Sequence, residues 1–312
     1  MDEKLVVALS RLGDYKDPGL NAIVGAMLDK AFLPSPRGLK ILVKPNLLLA
    51  RELACSHPAI VAAVCRWLLD NGAKIVVGDS PAFGSARYVS GKIGLLDALK
   101  PLGLDIVAFN RARDMRVSIN YGNYQKDISF KVATFAIEAD EIYSVAKVKA
   151  HSQTRITLCA KNCFGCVIGW RKALVHALHG KTTEIFAECL AGLFRNLPPV
   201  RGVCDGVVAM SETGPSKGSP YSLNLLGASN SATALDESII AILGRPLADF
   251  PLASRLASGN SSAGNQIYTL LKPEDFDASG FKLPSVLKPT SFSPPQLMKS
   301  FAKRFWMAIR KI

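Results

Sequence analysis

Three short apolar runs, "KLVVALS", "LKILVKPN" and "KIVVGDS", recur near the start of the chain, separated by stretches with helical spacing. That alternation constrains the fold more than any other feature. A strand, a helix and a second strand return to one sheet by a right-handed crossover, which sets the strands parallel. "PGLNAIVGAMLDKAF" supplies the first intervening helix and "SHPAIVAAVCRWLLDNG" the second. In the second, Ser56 is placed to cap, Pro58 suits the first turn, Ile60, Val61, Val64 and Leu68 share one face, and Asn71-Gly72 ends it. "DIVAFN" reads as a further strand. The expected class is α/β, with a mainly parallel sheet and flanking helices.

Residues 111–138 alternate polar and apolar side chains, as antiparallel strands or an irregular insertion would. "EADEIYSVAKVKA" is a strand that empties into Lys147, Lys149 and His151. Ser152 is placed to cap a helix running to Phe164 and ended by Gly165. "KTTEIFAECLAGLFRNL" is a helix, "VRGVCDGVVAM" a buried strand ending near Asp205, and "SATALDESIIAIL" a helix capped by Ser231. The expected organisation is one α/β domain over residues 1–272, built as two lobes around a cleft, about 1–140 and 141–272. A Pro/Ser-rich basic tail, 273–312, closes in a short amphipathic helix.

At 49% hydrophobic and 20% charged residues the chain is of globular composition. "MDEKLVVALS" is acidic and lacks the long apolar core of a signal peptide. No apolar run approaches the roughly 20 residues that span a bilayer. The expected location is the cytoplasm. The cysteines, seven and therefore odd, do not read as a disulfide framework. Cys55, Cys65, Cys189 and Cys204 sit among apolar neighbours, as core residues do.

The net charge is +13, and its placement is informative. From Ile142 to Thr183 there are seven Lys or Arg, three of the four histidines, and no Asp or Glu. From Ala278 onward there are again seven basic residues and no acidic ones. Such blocks favour anionic partners: a carboxylate or phosphate, a membrane surface, or nucleic acid. No zinc-finger spacing, ribonucleoprotein motif or recognition helix accompanies them, so nucleic acid is not the expected partner.

Nucleotide fingerprints are missing. "HGKT" contains Gly180-Lys181-Thr182, but Val175 stands where a P-loop requires glycine. No G-x-G-x-x-G follows the first strand. "GPSKGSP" reads as a flexible turn, with a backbone anion cradle as the alternative. Cys159, Cys163 and Cys166 have the C-x3-C-x2-C spacing with which radical S-adenosylmethionine enzymes hold a [4Fe–4S] cluster. On a helix the same three fall on one apolar face, where cysteine packs well. His176 and His179, at i and i+3, form a metal pair only if a third ligand joins them.

Ligands of a parallel sheet bind beyond the C-terminal strand ends. "ILVKPN" delivers Lys44 and Asn46 there, and "IVVGDS" delivers Asp79 and Ser80. His151 follows a strand and stands between Lys149 and Lys161 in sequence, so nearby cations should lower its pKa and favour the neutral imidazole.

"KPNLL", "GDSP", "KVKAHSQTRITLCAKNCFGCVIGWRKALVH" and "CDGVVAM…GPSKG" resemble, in that order, the motifs of domain-of-unknown-function family 362, over residues from about 40 to 245. The resemblance implies little about activity, which is largely undefined for the family. Many members carry ferredoxin-like cysteines near the C-terminus and are labelled iron–sulfur proteins; here the last cysteine is Cys204. Cys166 fits the family pattern, whereas Cys159 and Cys163 stand where other residues are more usual. A fainter similarity is to the N-terminal lobe of nickel-pincer lactate racemases, in which a histidine is followed ten residues on by a cofactor-holding lysine. His151 and Lys161 have that separation, without the glycine-rich run.

Together these features predict an enzyme that binds a small anionic substrate, a carboxylate or a phosphate, and performs proton-transfer or isomerase-type chemistry. His151, Lys161 and Asp79 are the expected catalytic groups: His151 or Asp79 moves a proton and Lys161 stabilises developing negative charge. Lys44, Asn46, Lys149, Asn162 and Asp205 are the expected substrate-binding groups. The helix N-terminus expected after His151 would join the lysines in holding the anion. An iron–sulfur oxidoreductase using Cys159, Cys163 and Cys166, and a non-catalytic anion-binding module, are the alternatives. In the tail, Phe301, Phe305, Ala308, Ile309 and Ile312 share one helix face, flanked by Lys303, Arg304, Arg310 and Lys311. That face suits docking on its own domain or on a second subunit, with a membrane interface as the alternative.

Overall fold

The computed structural model describes residues 4–32, 35–258 and 266–290, with Met298 and Ala302 beyond them. The expected tail helix lies outside the described residues. Strands β1 (Leu5–Arg11), β2 (Lys40–Pro45), β3 (Lys74–Asp79) and β4 (Ile106–Ala108) alternate with α1 (Leu20–Ala31), α2 (Pro58–Asp70) and the pair α3 (Ala86–Lys92) and α4 (Leu95–Leu99). The alternating segment that follows is a hairpin, β5 (Ala112–Tyr121) and β6 (Tyr124–Ala133), followed by one helical turn, α5 (Thr134–Ile137). Next come β7 (Glu141–His151), β8 (Arg155–Thr157), α6 (Cys159–Asn162), α7 (Arg171–His179) and α8 (Thr183–Arg195). The described chain ends through β9 (Val200–Ser211), β10 (Ser219–Tyr221), β11 (Leu225–Ser229), α9 (Ala232–Ile242), α10 (Pro251–Ala257) and β12 (Gln266–Leu270).

One sheet has the order β12-β1-β11-β9-β7-β2-β3-β4, with β8 and β10 paired at its margin. From β9 to β4 every neighbour is parallel. β11 runs against both β9 and β1, and β12 rejoins β1 in parallel. The α/β class and the mainly parallel sheet with flanking helices are as expected. Two lobes around a cleft are not shown: β7, which opens the second half of the chain, lies between β2 and β9 in the same sheet.

The helices divide between two faces. α1 and α2 cover one through Val24, Leu28, Ile60, Val64 and Leu68, packed on Ile41, Val43, Tyr143 and Val145. α8 and α9 cover the other through Phe186, Leu190, Leu235 and Ile239, with Leu42, Ile142, Ala146 and Val148. Strand alternation explains the split, since successive side chains of β2 and β7 point to opposite faces. No helix among the described residues is long and apolar enough to cross a membrane.

Two local expectations change. His57, not Ser56, caps α2, its ring nitrogen accepting from Ala59 N at 3.3 Å. Ser56 Oγ instead donates to Val145 O at 2.6 Å and accepts from Asn46 N at 2.8 Å, tying β2 to β7. The helix expected from Ser152 is absent. The chain turns at once, with Arg155 at φ 65°, and β8 pairs back on β7 from His151↔Arg155 to Lys149↔Thr157.

Candidate functional site

β2 connects to β3 in one direction through α2, whereas β7 connects to β9 in the other through α6, α7 and α8. The connections therefore diverge between β2 and β7, the place where open α/β sheets bind ligands. A cavity of about 210 Å³ opens there. Its walls include Lys44, Asn46, Asp79, Lys149, His151, Lys161 and Asn162, seven of the eight residues expected from sequence. The eighth, Asp205, lies elsewhere.

Lys44 and Asp79 face each other from the ends of adjacent parallel strands, Nζ to Oδ1 at 2.7 Å, with both side chains buried. Lys44 Nζ also donates to Asn162 Oδ1 at 3.1 Å and Pro45 O at 3.0 Å. Asp79 accepts from Leu47 N at 2.8 Å and Ser80 N at 2.7 Å. Its carboxylate is thus fully engaged and serves as an anchor. Asn162 binds the corner together: its Nδ2 donates to Lys44 O and Ser144 Oγ, each at 3.1 Å, and its Oδ1 accepts from Asn46 Nδ2 at 2.9 Å. Gly165 passes so close that a Cβ would sit 2.5 Å from Asp79 Oδ1 and 2.6 Å from Lys44 Nζ.

β7 projects Lys147, Lys149 and His151 to one side, two residues apart. Lys147 does not reach the cavity. It pairs with Asp205 at 3.0 Å and donates to Tyr15 OH at 2.7 Å. Asp205 accepts also from Tyr15 OH and from His57 N, so this buried carboxylate holds the loop after β1, the start of α2, β7 and β9 together. Lys149 Nζ donates to Ala54 O at 2.7 Å. Burial, with Lys161 and Lys147 nearby, brings its pKa down to about 7 against the raising fields of Cys55 and Asp79. Lys161 is lowered to about 8 by burial. Its Nζ lies 5.2 Å from the Phe164 ring centroid and makes no hydrogen bond or ion pair among the described residues.

His151 Nδ1 accepts from Gln153 N at 3.1 Å and Thr154 N at 3.3 Å. Burial, then Lys161, Lys149 and His176, push its pKa well below the ordinary value. The imidazole is therefore neutral, as expected, but the proton sits on Nε2 and the lone pair is already used. His151 presents a donor to the cavity, not a base.

Sequence reasoning missed several lining groups. Thr157 is one of them, and its Oγ1, like the Oδ1 of the expected Asn46, is a buried polar atom with no partner among the described residues. Lys172 donates to Ser80 Oγ at 3.0 Å and to Val167 O at 3.1 Å. His176 lines the cavity, its Nδ1–H donating to Thr290 O at 2.8 Å, whereas His179 meets Tyr124 OH instead. The two do not form a metal pair. The helix N-terminus expected to hold an anion is also occupied: α6 begins only at Cys159, and Asp236 accepts from Cys159 N and Ala160 N at 2.8 and 2.9 Å. Only the basic block before Thr183 hinted at this wall; nothing in the sequence marks Asp236 as its cap.

Cys159, Cys163 and Cys166 belong to the hydrophobic core and none lines the cavity. Cys159 Sγ contacts Cys204 Sγ at 3.4 Å, and Cys163 Sγ donates to Cys159 O at 3.4 Å. Burial raises all three thiols, Cys166 to about 12. Cys159, Cys204 and Asp236 offer ligand atoms within 4.8 Å of one another.

The family model described as domain of unknown function (DUF362) matches residues 41–241, well over half of the chain. The chain belongs to this family. A relative is 34% identical over 279 residues, covering 88% of this chain and 85% of its own length; it is described as a thylakoid-associated protein of Synechocystis sp. (strain ATCC 27184 / PCC 6803 / Kazusa). No solved structure matches. The matched DUF362 segment contains every cavity residue expected from sequence, from Lys44 to Asn162.

Replacing Gly165 by alanine is expected to push Lys44 and Asp79 apart and to lower stability by about 1–3 kcal/mol, the range for overpacking a filled site. Urea unfolding checks this, and an unchanged midpoint would show that the corner has room to spare.

Proposed function

We propose that the cavity binds a small carboxylate- or phosphate-bearing molecule and moves a proton on it, as an isomerase or racemase does. The observation that carries this reading is the imbalance of the walls. Lys44, Lys149, Lys161 and Lys172 line the cavity with a single carboxylate, Asp79, and that one is bound to Lys44. A bound anion would supply the missing countercharge and give acceptors to Lys161 Nζ and Thr157 Oγ1. Roles follow from the hydrogen bonds. Lys161 and the Nε2–H of His151 stabilise negative charge as it develops, and the amine of Lys149, with its pKa near 7, takes the proton. Asp79 holds Lys44 in place and transfers nothing.

The iron–sulfur alternative gains no support from thiols packed in the core, and the non-catalytic module differs from an enzyme in turnover alone. Exchange of a ligand's carbon-bound hydrogen with D2O, followed by proton NMR over a panel of small 2-hydroxy and 2-oxo acids, separates them. The rate is expected to rise as pH passes 7, where Lys149 loses its proton, and to fall at least a hundredfold in Lys149→Met. Binding should be lost in Lys161→Ala. Binding without exchange in every case leaves the module; no binding removes both.

A second reading concerns location. The relative named for the thylakoid, and the acid-free basic tail, favour a cytoplasmic protein that rests on an anionic membrane surface through residues 294–312. Flotation with anionic liposomes is expected to carry the full chain upward and leave a chain truncated at Pro294 behind. Equal behaviour of the two contradicts it.

A further inference from the structure

We propose that Lys161 forms an imine with the carbonyl carbon of a small 2-oxo acid held in the cavity, an inference that rests on the anion-binding reading above. The four cavity lysines differ in what their ammonium groups touch. Lys44 is paired with Asp79, Lys149 donates to Ala54 O, and Lys172 donates to Val167 O and Ser80 Oγ. Lys161 alone among them makes no hydrogen bond or ion pair among the described residues, and an aromatic ring, Phe164, backs it. An amine held by a carboxylate stays protonated and inert, whereas an amine without one, half-buried among other cations, gives up its proton more readily and so reaches its neutral, nucleophilic form. The lowering of Lys161 to about 8 agrees with that placement.

The surroundings fit the remaining atoms of such a substrate. Its carboxylate meets the ammonium of Lys172 across the cavity. The oxygen of the attacked carbonyl meets the Nε2–H of His151 or Thr157 Oγ1, which lacks a partner among the described residues. In the first step the Lys161 lone pair forms the C–N bond, the carbonyl π pair moves to oxygen, and a proton passes from nitrogen to that oxygen. In the second the hydroxyl leaves as water, taking up the proton that remained on nitrogen, and the nitrogen lone pair completes the C=N bond. The net exchange is one water released, with no oxidant or reductant. Once protonated, the imine keeps the positive charge that Lys161 carried as an ammonium and withdraws electrons from the neighbouring C–H bond. The neutral amine of Lys149 is placed to take that proton.

Reductive trapping tests this on the full chain. Pyruvate and glyoxylate, each with cyanoborohydride at pH 7, are expected to place a secondary amine on Lys161. The yield should be at least tenfold above that on exposed Lys92 or Lys100, located by peptide mass mapping. Lys161→Arg should lose the adduct and keep the rise in melting temperature that pyruvate gives, since the cation is retained. If pyruvate raises the melting temperature of the wild-type chain but Lys161 is labelled no more than Lys100, or another cavity lysine is labelled instead, the imine is wrong and the anion site stands. If neither labelling nor stabilisation occurs, both readings fall.

Discussion

The buried ion pair between Lys44 and Asp79 sets the terms for everything around it. It joins the ends of two parallel strands, accepts the close passage of Gly165, and is held by Asn162 from the far side. Breaking one partner of such a pair costs about 3–5 kcal/mol, because the other is left charged without water. Its larger effect is on charge balance. Asp79 is the one carboxylate among the described residues that line the cavity, and the pair neutralises it. Lys149, buried, and Lys161, half-buried, are then left with no carboxylate bonded to either, so burial dominates and their pKa values drop.

A second carboxylate does the same service for the other end of β7. Asp205 takes Lys147, Tyr15 and the backbone of His57, with Tyr15 stacked on the His57 ring at 3.6 Å. β7 thus carries two lysines on one side, two residues apart, with opposite fates. Lys147 is matched by an acid from β9, whereas Lys149 finds only the carbonyl of Ala54. A shift in register between β7 and β9 at this point separates them, since Lys147 pairs with Asp205 but Lys149 with Met210.

Much of this was legible in the sequence because it is local. The strand–helix alternation fixes parallel strands, parallel strands gather their C-terminal ends on one edge, and Lys44, Asn46, Asp79, Lys149 and His151 stand at those ends. Asp205 is expected near a strand end too, but β9 runs on to Ser211 and leaves it mid-strand; its exclusion from the cavity depends on which strand lies beside β7, and strand order is not written in any single segment. The helix expected after Ser152 fails for a comparable reason. "TRITLCAKNCFGC" has cysteines at helical spacing, yet the backbone turns back at His151 and forms β8. It becomes helical only at Cys159, where Asp236, distant in sequence, caps it. His176 and Lys172 enter the cavity from α7, whose packing over the site follows from tertiary contacts alone.

The cavity keeps the amines of Lys149 and Lys161 free of bound carboxylates, and the direct test is a titration of lysine side chains by NMR with 13C at the ε carbon. Lys149 and Lys161, assigned through Lys149→Met and Lys161→Arg, should titrate near 7 and near 8, apart from the bulk of the lysines near 10.4. If both instead titrate with the surface lysines, their charges are compensated in the folded protein and the account of the cavity is wrong.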